Sequence, residues 1–191
     1  NNKVLLVTGG TGSFGHAMVS KFKDTDIKEI RIFSRDELKQ DEMRKLYNNE
    51  KLKFHIGDVR DQNSVEDVMR DVDYMFHAAA LKQVPSCEFH PMQAVKTNIV
   101  GTANVVLICS RLNIKLIYIS TDYVFKGDKG NYKEHDELLP QNLYAWSKLG
   151  GECAVRMYSN SLIIRTSFCE SIFPYDKAFI DQFTSRDSVD V

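Results

Sequence analysis

The sequence predicts an α/β fold built on a doubly wound parallel sheet of the Rossmann type, and three observations carry that prediction. Short apolar runs alternate along the chain with stretches of helical spacing, the pattern of strand–helix–strand units. The runs are apolar at consecutive positions, as in strands covered on both faces. The first run ends in a glycine turn, "TGGTGSFG", that leads straight into a helix.

Residues 3–7 (KVLLV) form the first strand, closed by Thr8-Gly9-Gly10. Residues 13–23 carry Phe14, Ala17, Met18 and Phe22 at helical spacing. Ile30-Arg31-Ile32-Phe33 is the second strand, and residues 36–48 a charged helix with Leu38, Met43, Leu46 and Tyr47 as a partial apolar stripe. Phe54-His55-Ile56 is the third strand, ending at Gly57-Asp58, and Ser64 to Arg70 a short helix facing inward with Val65, Val68 and Met69. Residues 73–77 form the fourth strand, followed by Ala78-Ala79-Ala80. A long helix then runs from about Pro91 to Leu112, because proline is well accommodated in a first helical turn, where its missing N–H has no partner to lose. Residues 114–119 are the fifth strand, 126–140 a polar surface loop, 142–158 a second long helix, and Leu162-Ile163-Ile164 the sixth strand. Right-handed crossovers between such units give the doubly wound order. Residues 1–165 are expected to be an NAD(P)-binding domain, and 166–191, where the period is lost, the start of an incomplete substrate-binding region. The chain stops at Asp190-Val191 without a closing element and reads as a fragment.

With 191 residues, 43% of them hydrophobic and four prolines, the chain has the material for a core rather than for disorder. A net charge of −1 provides no bulk basic surface for nucleic acid or an anionic membrane, so any bound anion must be held by local geometry. No apolar run approaches the ~20 residues of a membrane span. Residues 1–8 read as strand and turn rather than as a leader. The cysteines Cys87, Cys109, Cys153 and Cys169 form no C-x-x-C pair, which points to reduced thiols and a cytoplasmic setting. His16, His55, His77, His90 and His135 have no metal-like spacing, so no metal is expected.

The glycine turn has a physical use. Gly9 allows the tight turn, Gly12 lets a pyrophosphate approach the backbone, and Gly15 lets the helix lie close on the strand. The phosphate then meets free N–H groups and the positive end of the helix dipole. The spacing G-x-x-G-x-x-G is one residue longer than the commonest form. The second strand ends at Ser34-Arg35-Asp36, facing the adenosine ribose in such a fold. An acidic residue there accepts from the 2′-hydroxyl of NAD, whereas arginine favours the 2′-phosphate of NADP. Ser34 and Arg35 come first, so NADP(H) is favoured over NAD(H); the alternative is a solvated charge cluster. Asp58 either accepts from the adenine amino group or forms an Asx turn.

Tyr144 and Lys148 form a Y-x-x-x-K whose i, i+4 spacing puts both on one helix face. A neighbouring ammonium favours phenolate, so Lys148 is expected to lower the Tyr144 pKa and let it exchange a proton with a hydroxyl or carbonyl. Ser120-Thr121-Asp122 closes the preceding strand, at the sheet edge where ligands bind in such folds. A hydroxyl there can bind the reacting oxygen alongside Tyr144.

Gly9, Gly12, Gly15, Asp58, Ala78-Ala79-Ala80, Asn98, Thr121, Tyr144 and Lys148 together resemble an extended short-chain dehydrogenase/reductase of the nucleotide-sugar-modifying kind. Residues 3–104, with "LVTGGTGSFG", "IRIFSRDE", "GDVRD" and "AAALKQVPSCEFHPMQAVKTNIVGT", resemble capsule-type UDP-N-acetylglucosamine 4,6-dehydratases. Residues 116–191, with "LIYISTDYVFKGDKGNYKEHDELLPQNLYAWSKLGGE" and "IIRTS", are similar to dTDP-4-dehydrorhamnose reductases. The resemblance implies a cofactor set that adds Thr11, Ser13, Phe14 and Val59, with Asn98 supporting the nicotinamide and Lys148 holding its ribose. Lys82, Asp122 and Tyr123 are candidate substrate contacts; Glu134, Asp136 and Glu137 read as a solvated acidic loop, which the likeness to the reductases would bring near the site. For Asn98 the plainer reading is an ordinary helix residue; for Lys82, a surface lysine. The dehydratases follow Thr-Asp with a lysine or glutamate suited to moving the C5 proton. Here Tyr123 follows, and a phenol of ordinary pKa near 10 is a poor base. The implied reaction is therefore NADPH-dependent reduction of a nucleotide-linked 4-keto-6-deoxy sugar in surface polysaccharide biosynthesis. Dehydration (or 5-epimerisation) of UDP-N-acetylglucosamine and a non-catalytic NADP-binding module are the alternatives. The resemblance also implies a homodimer through the helices at about 91–112 and 142–158.

Overall fold

The computed structural model describes residues 2–167. Six strands, β1 (Val4–Thr8), β2 (Glu29–Ser34), β3 (Leu52–Ile56), β4 (Tyr74–His77), β5 (Lys115–Thr121) and β6 (Ser161–Thr166), form one sheet in the order β3-β2-β1-β4-β5-β6. Every pairing is parallel. The order reverses direction between β1 and β4, which opens a crevice at their carboxyl ends. The helices are α1 (Ser13–Phe22), α2 (Glu37–Tyr47), α3 (Gln62–Met69), α4 (Val84–Phe89), α5 (Pro91–Ala94), α6 (Gly101–Leu112) and α7 (Leu143–Arg156).

β1 shows why the strands are continuously apolar. Leu5 and Val7 join Val19 of α1 and Met43 of α2 in one core. Val4 and Leu6 point to the opposite face, among Val65 and Met69 of α3, Val105 and Ile108 of α6 and Val155 of α7. Both faces are therefore covered, and burying each such side chain is worth roughly 1.5–3 kcal/mol. Asp36 and Asn142 cap α2 and α7 by accepting from Lys39 N and Ala145 N, and Asp61 accepts from Asn63 N at the start of α3.

Three features depart from the sequence reading. Residues 84–89, to which the sequence pattern assigns no element, form α4. The long helix expected from Pro91 to Leu112 is α5 and α6 joined by a π-helical turn, Val95–Val100. Its widened backbone carries Asn98, and such turns concentrate at functional sites. The fifth strand extends two residues further than expected, through Ser120 and Thr121. The expected substrate-binding region at 166–191 lies, from residue 168 onward, outside the described residues, as does Cys169.

Candidate active site

The crevice above the β1–β4 junction is a cleft of about 1690 Å³. One end of it is formed by the glycine turn. Gly9 adopts φ +65°, and a Cβ on it would lie 2.9 Å from the backbone of Ala78 and Ala79. The glycine turn and the alanine loop thus touch. A Cβ on Gly15 would lie 1.7 Å from the Gly10 carbonyl oxygen, so α1 reaches the strand only without one. Gly12 differs: its Cβ would meet only Gly9 O, at 3.4 Å, leaving open space on the cleft side. Gly12 is also the N-cap of α1 and supplies no side-chain cap, so the helix offers its first N–H groups to the cleft. This open, uncapped cradle fits a dinucleotide pyrophosphate.

Thr11, Ser13, Phe14, Ser34, Arg35, Asp58, Val59, Ala78, Ala79 and Ala80 line the same cleft. Thr11 Oγ1 and Ser34 Oγ are 2.9 Å apart, and Ser34 Oγ accepts from Asp36 N. Asp58 takes its turn form: its carboxylate accepts from Arg60 N at 2.9 Å and from Arg60 Nε at 2.8 Å. Arg35 Nη1 stands 3.6 Å from the same carboxylate. Burial pushes the Asp58 pKa up, but the Arg60 hydrogen bonds and the charges of Arg60 and Arg35 outweigh it and hold it below the ordinary value. Asp58 is thus already occupied by two guanidinium groups.

Thr121, Asp122, Tyr123, Tyr144, Lys148 and Lys82 line the other end. The T-shaped ring pair of Tyr123 and Tyr144 has centroids 6.3 Å apart. The Tyr144 phenol is pushed up by burial, opposed by its hydrogen bond with Thr121 and reinforced by the neighbouring Cys87, Asp122 and Tyr123. The expected lowering by Lys148 does not occur in this arrangement. Lys148 Nζ instead donates to the Ile119 carbonyl at 2.7 Å and sits 4.2 Å from the Tyr118 ring centroid. Burial lowers its pKa to about 7, with the Glu152 carboxylate acting in the opposite sense.

Asn98 is brought beneath the cleft, not onto its wall. Fully buried, it accepts from Leu81 N at 2.8 Å and donates to Leu81 O at 2.9 Å and to Ser147 Oγ at 2.8 Å. Ser147 Oγ donates in turn to the Tyr144 carbonyl. Asn98 therefore ties the loop after β4 to the helix that carries Tyr144. Gly15 also lies behind the wall, where its role is the close packing of α1.

Several residues of this region are not evident from sequence alone. Ser147 lies inside the Y-x-x-x-K motif, and only the structure shows it joined to Asn98. Glu88 of α4 accepts from Leu143 N, a second anchor for the start of α7. His77 lies fully buried, with Nδ1 2.7 Å from Thr8 Oγ1 and Nε2 3.0 Å from Thr102 Oγ1. Burial, and secondarily the Lys148 charge, lower its pKa from 6.5 to about 3. The folded chain thus binds this proton later than the unfolded chain. Stability should be full above pH 6.5 and fall by roughly 1.4 kcal/mol per pH unit on the way down to 3. Urea midpoints measured between pH 7.5 and 4.5 are expected to fall steeply, and less steeply in His77→Gln; parallel slopes would show that His77 is not the group responsible.

Comparison with known proteins places this geometry. The family model described as "Polysaccharide biosynthesis protein" matches residues 5–169. The chain belongs to the polysaccharide biosynthesis protein family. The resemblance to nucleotide-sugar-modifying extended short-chain dehydrogenases/reductases therefore holds at the family level. A UDP-glucose 4-epimerase of Rickettsia bellii (strain OSU 85-389) is 60% identical over 126 residues, 63% of this chain and 37% of that relative. The chain thus spans little more than a third of the length of this curated family member. The UDP-N-acetylglucosamine 4-epimerase of Methanobrevibacter ruminantium M1, solved with UDP-N-acetylmuramic acid, is 28% identical with a TM-score of 0.77, over 86% of this chain and 55% of that one. A dTDP-4-dehydrorhamnose reductase from Clostridium acetobutylicum ATCC 824 shares the fold at 23% identity and TM-score 0.70, over 86% and 53% of the two chains. Among the described residues no helix of this family member is long and apolar enough to cross a membrane, and no group of side chains could hold a metal ion.

Proposed function

We propose that residues 1–165 are the cofactor-binding domain of an NADP(H)-dependent enzyme that reduces the C4 carbonyl of a nucleotide-linked 4-keto-6-deoxy sugar. The observation that carries this reading is Tyr123 edge-on to Tyr144 in the cleft that Thr121 also lines. When bound, NADPH supplies a hydride to the carbonyl carbon. Thr121 holds and polarises the carbonyl oxygen. Tyr144, kept protonated at neutral pH by its raised pKa, gives its proton to that oxygen as the hydroxyl forms. A protonated phenol suits reduction, whereas a dehydration or an epimerisation must begin with Tyr144 taking a proton. Lys148 anchors the nicotinamide ribose by leaving the Ile119 carbonyl. Lys82 and Asp122 face the sugar nucleotide. Arg35, free on its outer side, receives the 2′-phosphate and favours NADP(H).

A second reading, redox-neutral chemistry at C4 of a UDP-sugar, is favoured by the identity to the R. bellii epimerase. One pair of mixtures separates them. The chain with NADPH and a dTDP- or UDP-4-keto-6-deoxy sugar is expected to lose the reduced-cofactor absorbance, with NADPH preferred to NADH. The chain with NADP and UDP-glucose or UDP-N-acetylglucosamine is expected to leave both unchanged; a 4-epimer or a dehydrated sugar there, with no change in the first mixture, overturns the reductase reading.

The same reading includes a homodimer. Leu107 of α6 and Trp146 of α7 are 61% and 51% exposed, and Met157, just past the end of α7, is 85% exposed. A second copy would cover them. Sedimentation is expected to give twice the 21.9 kDa chain mass, and Trp146→Glu a monomer; a monomeric parent chain contradicts this.

A further inference from the structure

The most buried ion pair among the described residues joins Arg165 of β6 to Glu152 of α7, with side chains 10% and 0% exposed. Ser120 and Arg165 are register partners on β5 and β6, so both side chains leave the same sheet face toward α7. Glu152 lies one helical turn beyond Lys148 and accepts from Ser120 Oγ at 2.5 Å. It also accepts from Arg165 Nε at 3.0 Å and Nη2 at 2.7 Å, a two-pronged grip. The other edge of the guanidinium faces the loop: Arg165 Nη1 donates to Glu134 O at 3.1 Å. The guanidinium carbon also lies 5.1 Å from the Phe125 ring centroid.

That loop is internally ordered. Phe125 stacks on Tyr132 with centroids 4.6 Å apart and planes 11° apart. The Tyr132 hydroxyl accepts from the N–H groups of Gly127 and Asp128 and donates to Asp128 Oδ1. Phe125 and Leu138 close its base by an antiparallel bridge. Arg165 is thus where the loop meets the strand end that carries Thr121.

Replacing a buried ion pair by neutral side chains of similar size is often harmless to stability, so the function to ask of this one is positioning. We propose that Arg165 is a positioning residue of the candidate site: through Glu152 it fixes Ser120 and with it the strand end that carries Thr121, and with its other edge it holds the 126–137 loop. The proposal rests on the reading of Thr121 and Tyr144 given above. A planar fork can serve both sides at once, whereas an ammonium is a single point.

Arg165→Met alone would strand a buried carboxylate, so the test uses the paired change Glu152→Gln/Arg165→Met together with Arg165→Lys. Two readouts need no turnover: the rate of tryptic cleavage after Lys126, Lys129 and Lys133, and the titration of Tyr144 followed by 13Cζ-tyrosine NMR, assigned with Tyr144→Phe. The paired change is expected to speed loop cleavage about tenfold. It is also expected to raise the Tyr144 titration by about half a pH unit, because the Thr121 hydroxyl that lowers it has moved. Arg165→Lys is expected to free the loop while restoring the Tyr144 titration, since the ammonium still meets Glu152 but no longer reaches Glu134. A folded paired variant with both readouts at parent values overturns the proposal. Should the paired variant not fold, unchanged loop protection in Arg165→Lys overturns it. A parent chain that reduces no 4-keto sugar sinks the functional reading but leaves both readouts to decide on Arg165.

Discussion

Tyr144→Phe is expected to lower turnover of the 4-keto sugar nucleotide about a thousandfold while leaving NADPH affinity within about twofold. The variant keeps the ring, and with it the edge-on contact to Tyr123 and the packing of α7 on the π-helical turn. It removes only the phenol hydroxyl. The cradle for the cofactor lies at the other end of the cleft, in the Gly9–Gly12 turn and the start of α1, and is untouched. A loss confined to turnover therefore isolates the proton donor. Steady-state kinetics beside a fluorescence titration of NADPH decide it: turnover near the parent value would remove Tyr144 from the chemistry, and an equal loss of affinity would make it a cofactor contact.

Gly15→Ala is expected to cost the fold, and Gly12→Ala only the cofactor. The added methyl at position 15 would lie 1.7 Å from Gly10 O and 2.3 Å from its carbon, a collision with backbone that no side-chain rotation relieves. α1 would have to lift from β1, opening the core around Val7 and Val19, at about 3 kcal/mol or more. At position 12 the methyl meets only Gly9 O at 3.4 Å and projects into the cleft. It fills the place the pyrophosphate needs, so NADPH affinity should fall tenfold or more, about 1.4 kcal/mol, with stability unchanged. Urea denaturation and NADPH titration of both variants are the measurements. Equal effects of the two substitutions on both would mean that the turn is merely structural.

The alternation of strands and helices, the glycine turn and the placing of Tyr144 and Lys148 on one helix were legible because each follows from local rules. Consecutive apolar residues mark doubly covered strands, glycine spacing marks a backbone approach, and i, i+4 residues share a helix face. What was not legible depends on where a side chain's partner lies in space. Lys148 was expected to act on Tyr144, its neighbour on the helix. The nearer acceptor is the Ile119 carbonyl, brought alongside by β5, and spacing along a helix does not contain that information. Asn98 was expected to support the nicotinamide; its partners in the Leu81 loop and Ser147 follow from the π-helical turn that carries it. A π turn has no composition signal comparable to a glycine or a proline. Glu152 and Arg165 stand thirteen residues apart on different elements. A carboxylate one turn past Lys148, on the inward side of α7, was the only hint that a partner had to exist. Asp58 forms the Asx turn because Arg60, two residues on, folds back onto it.

In the proposed reaction Tyr144 and Thr121 present a sugar C4 carbonyl to a nicotinamide seated above the glycine turn. The most direct measurement uses NADPH carrying deuterium at the transferable C4 position, a 4-keto-6-deoxy sugar nucleotide and the chain. Mass spectrometry and NMR of the product are expected to show one deuterium at sugar C4 for each cofactor oxidised. Product lacking the label, or a cofactor that stays reduced in a chain that binds it, would contradict the account.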